Sequence, residues 1–95
     1  MDETILTLHP NASKQGVRIE KAKYVVMRDA ILENLKRDGS MTFTELAALI
    51  EDQLQGSFDG SVMWYFTTVK LDLEAHGDLR RVPASKPQRI ELCMP

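Results

Sequence analysis

Ser61-Val62-Met63-Trp64-Tyr65-Phe66-Thr67-Thr68-Val69-Lys70-Leu71-Asp72-Leu73-Glu74-Ala75-His76-Gly77-Asp78-Leu79-Arg80-Arg81-Val82 changes its hydrophobic period part-way, and that change decides the fold class. Up to His76 the apolar residues recur as they do on a helix. At about 100° per residue Val62, Phe66, Val69 and Leu73 share one narrow sector, flanked by Tyr65, which predicts a core face. Ser61 is placed to cap the first turn and Gly77 to end the last. A second apolar group, Trp64, Leu71 and Ala75, lies roughly opposite, with Met63, Thr67, Lys70 and Glu74 as a mixed polar strip between. After Gly77 the period shortens to two. Leu79–Val82 and Arg89–Cys93 read as strands around Pro83-Ala84-Ser85-Lys86-Pro87-Gln88, a loop whose prolines forbid continued pairing. Ile90, Leu92 and Met94 alternate with Arg89, Glu91 and Cys93, so one face of the second strand is apolar.

Upstream, Tyr24, Met27, Ile31 and Leu35 recur at helical spacing and predict a helix over Lys21–Asp38. Gly39 stops it, and Lys36 and Arg37 sit at the negative end of its dipole. Thr42-Phe43-Thr44-Glu45 reads as a capping box that opens another helix, with Met41 and Leu46 as a hydrophobic staple. Leu46, Leu49, Ile50 and Leu54 form its buried stripe. Gly56 ends it, and the turn Ser57-Phe58-Asp59-Gly60 is expected to point Phe58 inward. Residues 1–20 read as an extended arm with room for one short strand, Ile5-Leu6-Thr7-Leu8, before the turn signals His9-Pro10-Asn11 and Gly16. Two parts are therefore expected, an N-terminal arm over 1–20 and a folded domain over 21–95.

Ninety-five residues allow one domain. With 43% hydrophobic and 27% charged residues the chain reads as globular. No apolar run approaches the roughly 18 residues a membrane span needs, so no membrane partner is expected. Met1-Asp2-Glu3-Thr4 is acidic and lacks the layout of a signal peptide, which points to a reducing cytoplasm. The single Cys93 cannot form an intrachain disulfide. With only His9 and His76 beside it, no metal site and no cofactor is expected. Paired acids such as Glu51-Asp52, or Asp72 and Glu74, have no catalytic frame and read as a solvated face. The glycines 56 and 60 lack the Lys-Ser/Thr pair of a phosphate loop. No enzyme is expected.

The net charge of −2 is unevenly spread. Residues 1–40 balance at +1, residues 41–77 at −5 and residues 78–95 at +2. A polyanion could be held only at the C-terminal end, aided by Lys14, Arg18, Lys21 and Lys23.

Helix, short extended piece, helix, turn, longer helix and basic-tipped hairpin is the order of a winged helix-turn-helix. Met41-Thr42-Phe43-Thr44-Glu45-Leu46 resembles that family's opening of the second helix. Val69 through Leu79 is similar to the end of a recognition helix running into the first wing strand. The resemblance covers about residues 21–95 and implies an α+β fold, three helices followed by a C-terminal β-hairpin wing. Lys21–Asp38 together with Ser61-Val62-Met63-Trp64-Tyr65 also resembles a small uncharacterised bacterial family of such domains. In winged-helix regulators the third helix enters the major groove of double-stranded DNA and the wing touches the adjacent backbone. Carried over, Met63, Trp64, Thr67, Thr68 and Lys70 would face the groove, and Arg80, Arg81, Ser85, Lys86 and Arg89 would be the wing contacts. The third helix offers no Arg, Asn or Gln for bidentate base contacts. The expectation is therefore a transcriptional regulator, as a dimer, holding phosphates mainly through the wing. Two surfaces admit plainer readings: the wing charges as guards of an edge strand, and Trp64 and Leu71 as a patch covered by Ile5, Leu6 and Leu8 or by a dimer partner. The alternative function is a protein-interaction module whose acidic helical region and Trp64 surface face a protein.

Overall fold

The computed structural model describes residues 3–11, 13–84 and 86–93. In chain order they form β1 (Thr4–Leu6), β2 (Arg18–Glu20), α1 (Lys21–Asp38), β3 (Ser40–Thr42), α2 (Phe43–Leu54), α3 (Val62–Ala75), β4 (Leu79–Arg81) and β5 (Arg89–Leu92). The chain is α+β, with three helices and two small antiparallel sheets.

The helices begin and end where local chemistry dictates. α1 spans the predicted residues, and Gly39 follows at φ 86°, donating its N–H to the Leu35 carbonyl at 2.8 Å. That left-handed backbone is open to glycine at little cost. At α2 both halves of the capping box are formed: Glu45 N–H donates to Thr42 Oγ1, and Thr42 N–H donates to Glu45 Oε1, each at 3.0 Å. Those backbone and side-chain bonds to Thr42 hold the Glu45 carboxyl below its ordinary range. At α3 the Ser61 hydroxyl accepts from Trp64 N–H at 3.2 Å.

The core lies where the three helices meet. Met27, Ile31 and Leu35 of α1, Leu46 and Ile50 of α2, and Phe66, Val69 and Leu73 of α3 are fully buried. Ala47 joins them, and Leu49, Leu54, Phe58 and Val62 pack on the rim. An amide pair between buried Asn34 and exposed Gln53 ties α1 to α2: Asn34 Nδ2 donates to Gln53 Oε1 at 3.0 Å and Gln53 Nε2 donates back to Asn34 Oδ1 at 3.1 Å.

The C-terminal sheet has β5 in the middle, with β3 on one side and β4 on the other. Met41 and Arg81 are both in register with Ile90, so the short strand before α2 is stitched to the final hairpin. Leu79, Ile90 and Met41 turn inward and close the core from below.

The N-terminal segment departs from the expected lone arm. It is a two-stranded hairpin, with Thr4 in register with Glu20 and Leu6 with Arg18. Beyond the strands Thr7 continues the pairing, its N–H donating to the Val17 carbonyl at 2.8 Å and its buried hydroxyl accepting from Val17 N–H at 3.1 Å. Gly16 makes this closure possible, because a Cβ there would lie 1.5 Å from the Thr7 carbonyl oxygen. Strands of three residues are too short to show a period of two, which is why the hairpin was not expected.

Thr42→Ala removes the hydroxyl that caps α2. Urea unfolding should show a loss of about 1 kcal/mol, while Thr42→Ser retains most of the stability.

Candidate functional site

α3 carries three charged residues, and all three turn inward. Lys70 is 6% exposed. Its Nζ sits 2.9 Å from Glu74 Oε1 and 5.5 Å from the centre of the Phe43 ring. Glu74 is tucked beside it with a side chain 7% exposed, and Arg81 Nε lies 3.6 Å from the same oxygen. That oxygen has ion-pair partners but no hydrogen bond of good geometry. The expectation that Lys70 faces a nucleic-acid groove is therefore corrected: its charge is buried and already matched.

Asp72 departs further from its expected solvated position. It is 1% exposed and gathers donors from three directions. Tyr24 Oη donates at 2.5 Å from α1, Leu8 N–H at 2.8 Å from the arm, and His76 Nε2 lies 3.2 Å away one turn on. Burial, and then donation to Asp72, pushes the Tyr24 hydroxyl well above its ordinary value near 10.

With the charges turned in, the outward side of α3 is uncharged. Met63, Trp64 and Thr67 are exposed, and Thr68, Leu71 and Ala75 are half-buried beside them. Trp64 is 47% exposed, yet its ring is held edge-on against Tyr65, centroids 4.9 Å apart, and Tyr65 is braced the same way by Phe58 at 5.1 Å. The arm runs alongside and leaves a groove of about 170 Å³, lined by Leu8 and Val17 on one wall and Trp64, Thr68 and Leu71 on the other. The expected cover by the arm is partial. Leu8 shares the groove with Leu71, but Leu6, Leu8, Val17 and Trp64 each keep more than a third of their surface in solvent.

The hairpin formed by β4 and β5 holds the expected wing residues, most of them paired. Arg80 Nε donates to Glu91 across the strands, and the two residues are in register. Arg81 leans on Glu74. Arg89 donates to the Ser40 hydroxyl at 3.0 Å and to its carbonyl at 2.7 Å, with Glu45 at 3.9 Å. Lys86 stands exposed in the loop, where no described carboxylate lies within ion-pair distance. Ser85 and Met94 lie outside the described residues. Thr67 is exposed on the uncharged side of α3.

Among the described residues no three His, Cys, Asp or Glu side chains gather as metal ligands, and no helix is long and apolar enough to cross a membrane.

Residues 4–90 match a family of unknown function, DUF6958. The chain belongs to that family. The DUF6958 span begins with β1 and ends inside β5, so it takes in the arm, the α3 face and most of the β4–β5 hairpin. No curated protein and no solved structure matches the chain.

Tyr24→Phe takes one donor from the buried Asp72 and should cost about 2 kcal/mol at neutral pH. The folded phenol keeps its proton where the unfolded one, near pH 10, has lost it. The stability it contributes is thus complete below pH 10 and declines as pH rises further. Chemical denaturation at neutral and alkaline pH should show a gap between wild type and Tyr24→Phe that narrows above pH 10.

Proposed function

We propose that this DUF6958 chain is a winged-helix domain used as a protein-interaction module, docking a protein through the Trp64 face of α3 and the adjoining arm. Several features support the winged-helix part. The order of elements from α1 to β5 is helix, strand, helix, helix and hairpin, and the strand before α2 pairs with the second strand of that hairpin. The basic loop between β4 and β5 stands in the place of a wing.

The observation that carries the module reading is the inward turn of Lys70, Asp72 and Glu74. A helix that reads DNA sets cations and amide side chains toward the groove, because phosphate contacts supply much of the affinity and bidentate contacts the specificity. This helix offers Met63, Trp64 and Thr67 instead. An exposed tryptophan, rigidly braced and set beside aliphatic side chains, has the composition of an interface centre. The DUF6958 chain needs no catalytic group for this role.

The module reading is tested by photo-cross-linking in cells with p-benzoylphenylalanine placed at Thr67 and, as control, at the exposed Glu33 of α1. A protein adduct is expected at Thr67 alone, and Trp64→Ser should abolish it. Absence of any protein adduct at Thr67 would overturn the reading.

A second reading keeps double-stranded DNA as the partner. It is favoured by one observation: the Arg80 and Arg81 side chains are each 57% exposed, on the same hairpin as the outward Lys86. Fluorescence anisotropy on a random duplex at low salt decides it. If the wing holds phosphates, Lys86→Ala with Arg80→Ala weakens binding, and the slope of log affinity against log salt falls by about 0.9 per lost contact. Equal traces for the two proteins would exclude the wing as a DNA site.

A further inference from the structure

The Trp64 face has a charge polarity along α3. At the start of the helix Glu51 and Asp52 line the hollow that also contains Ser61, Val62 and Met63. At its end Lys14, from the arm, lines a second hollow, together with Leu8 and Ala75 and the Glu74 that Lys70 already pairs. Among the described residues none of Glu51, Asp52 and Lys14 has a side chain of opposite sign within ion-pair distance, although most other charges near α3 are paired. From Met63 to Ala75 the helix rises about 18 Å. That exceeds the screening length of roughly 8–10 Å at ordinary ionic strength, so within one molecule the two ends do not satisfy each other. Between them lie Trp64 and Leu71, with Leu8 and Val17 alongside.

An apolar strip with opposite charges at its two ends matches itself after a half-turn. A two-fold axis crossing the helix near Thr68 sets α3 antiparallel to its counterpart, lays Trp64 across the groove of the other molecule, and brings each acidic end to the other's Lys14. Two-fold association needs such self-complementarity, since every contact is made twice. We infer that the occupant of this face is a second copy of the chain, docked with the two α3 helices antiparallel. The inference rests on the module reading above and names its partner.

Sedimentation velocity on the full chain, over micromolar to submillimolar concentrations, tests it. A reversible dimer is expected. Trp64→Ala, with circular dichroism confirming a folded protein, should weaken the dimer by at least about 30-fold, as loss of a central aromatic anchor does. Lys14→Glu alone, and Glu51→Lys with Asp52→Lys, should each weaken it about tenfold. The three reversals combined should restore it to within about threefold of wild type. These charges are exposed, so the rescue does not depend on how Trp64→Ala folds. A monomer at every concentration, a dimer indifferent to Trp64→Ala, or reversals without rescue would each overturn the inference. A monomer whose Thr67 still cross-links to a different protein overturns the self-partner alone. Absence of any Thr67 adduct overturns the module reading as well.

Discussion

The buried carboxylate of Asp72 is the constraint on which the rest of the molecule depends. It sits in the last turn of α3, where a negative charge opposes the helix dipole. Taking an ion out of water costs several kcal/mol unless donors replace the lost hydration. Here the donors come from 48 and 64 residues earlier in the chain, the Tyr24 hydroxyl and the Leu8 amide, with His76 adding a third contact. One side chain thus fixes the roll of α1 against α3 and pins the arm to the domain. Without the arm there, the Trp64 groove has only one wall.

The same turn of helix settles what α3 shows to solvent. Asp72 faces α1 and the arm, while Lys70 and Glu74 pair against Phe43 and Arg81 of β4. Once three of fourteen residues have taken their charges inside, the outer side has only methionine, tryptophan, threonine, leucine and alanine to present. The bracing of Trp64 by Tyr65, and of Tyr65 by Phe58, bears on the docking role proposed for this face. A ring already held in place loses less rotamer freedom when a partner covers it. The apolar face and the inward charges are two sides of one packing solution.

How much of this was legible in the sequence follows from the range of each interaction. Lys21–Asp38, the Thr42–Glu45 box, the Ser61 cap and Gly77 depend on neighbours within one turn, and the structure has them where spacing places them. The shortened period after Gly77 likewise appears as β4 and β5. The burial of Asp72 was not legible, because an Asp on a helix surface and an Asp with two distant donors look alike in one dimension. Lys70 and Glu74 stand at the four-residue spacing of an ordinary surface ion pair, and only the position of Phe43 and of Arg81 on β4 shows the pair to be buried. Asp72 and His76 share that spacing. It was the one local hint that the polar strip of α3 is internally matched.

The regional charge balance acquires a different meaning in three dimensions. The −5 of residues 41–77 first reads as an acidic helical centre that repels phosphate. Two of those acids are in fact buried in α3, and Glu45 caps its own helix. What remains outward beside α3 is Glu51 and Asp52 at one end and Asp59 in the turn. The basic end is diminished too, since Arg80 and Arg81 each lean on a carboxylate. The two guanidinium groups stand half in solvent and could part from them, but the carboxylates would stay beside any phosphate that replaced them. Among the described residues Lys14 and Arg18 of the arm, Lys36 at the end of α1 and Lys86 between β4 and β5 have no carboxylate within ion-pair distance, and four charges spread over three elements make a weak hold on a polyanion. A braced indole beside a half-open apolar groove does not lose strength that way, because its attraction comes from water leaving apolar surface and not from counterions leaving phosphate.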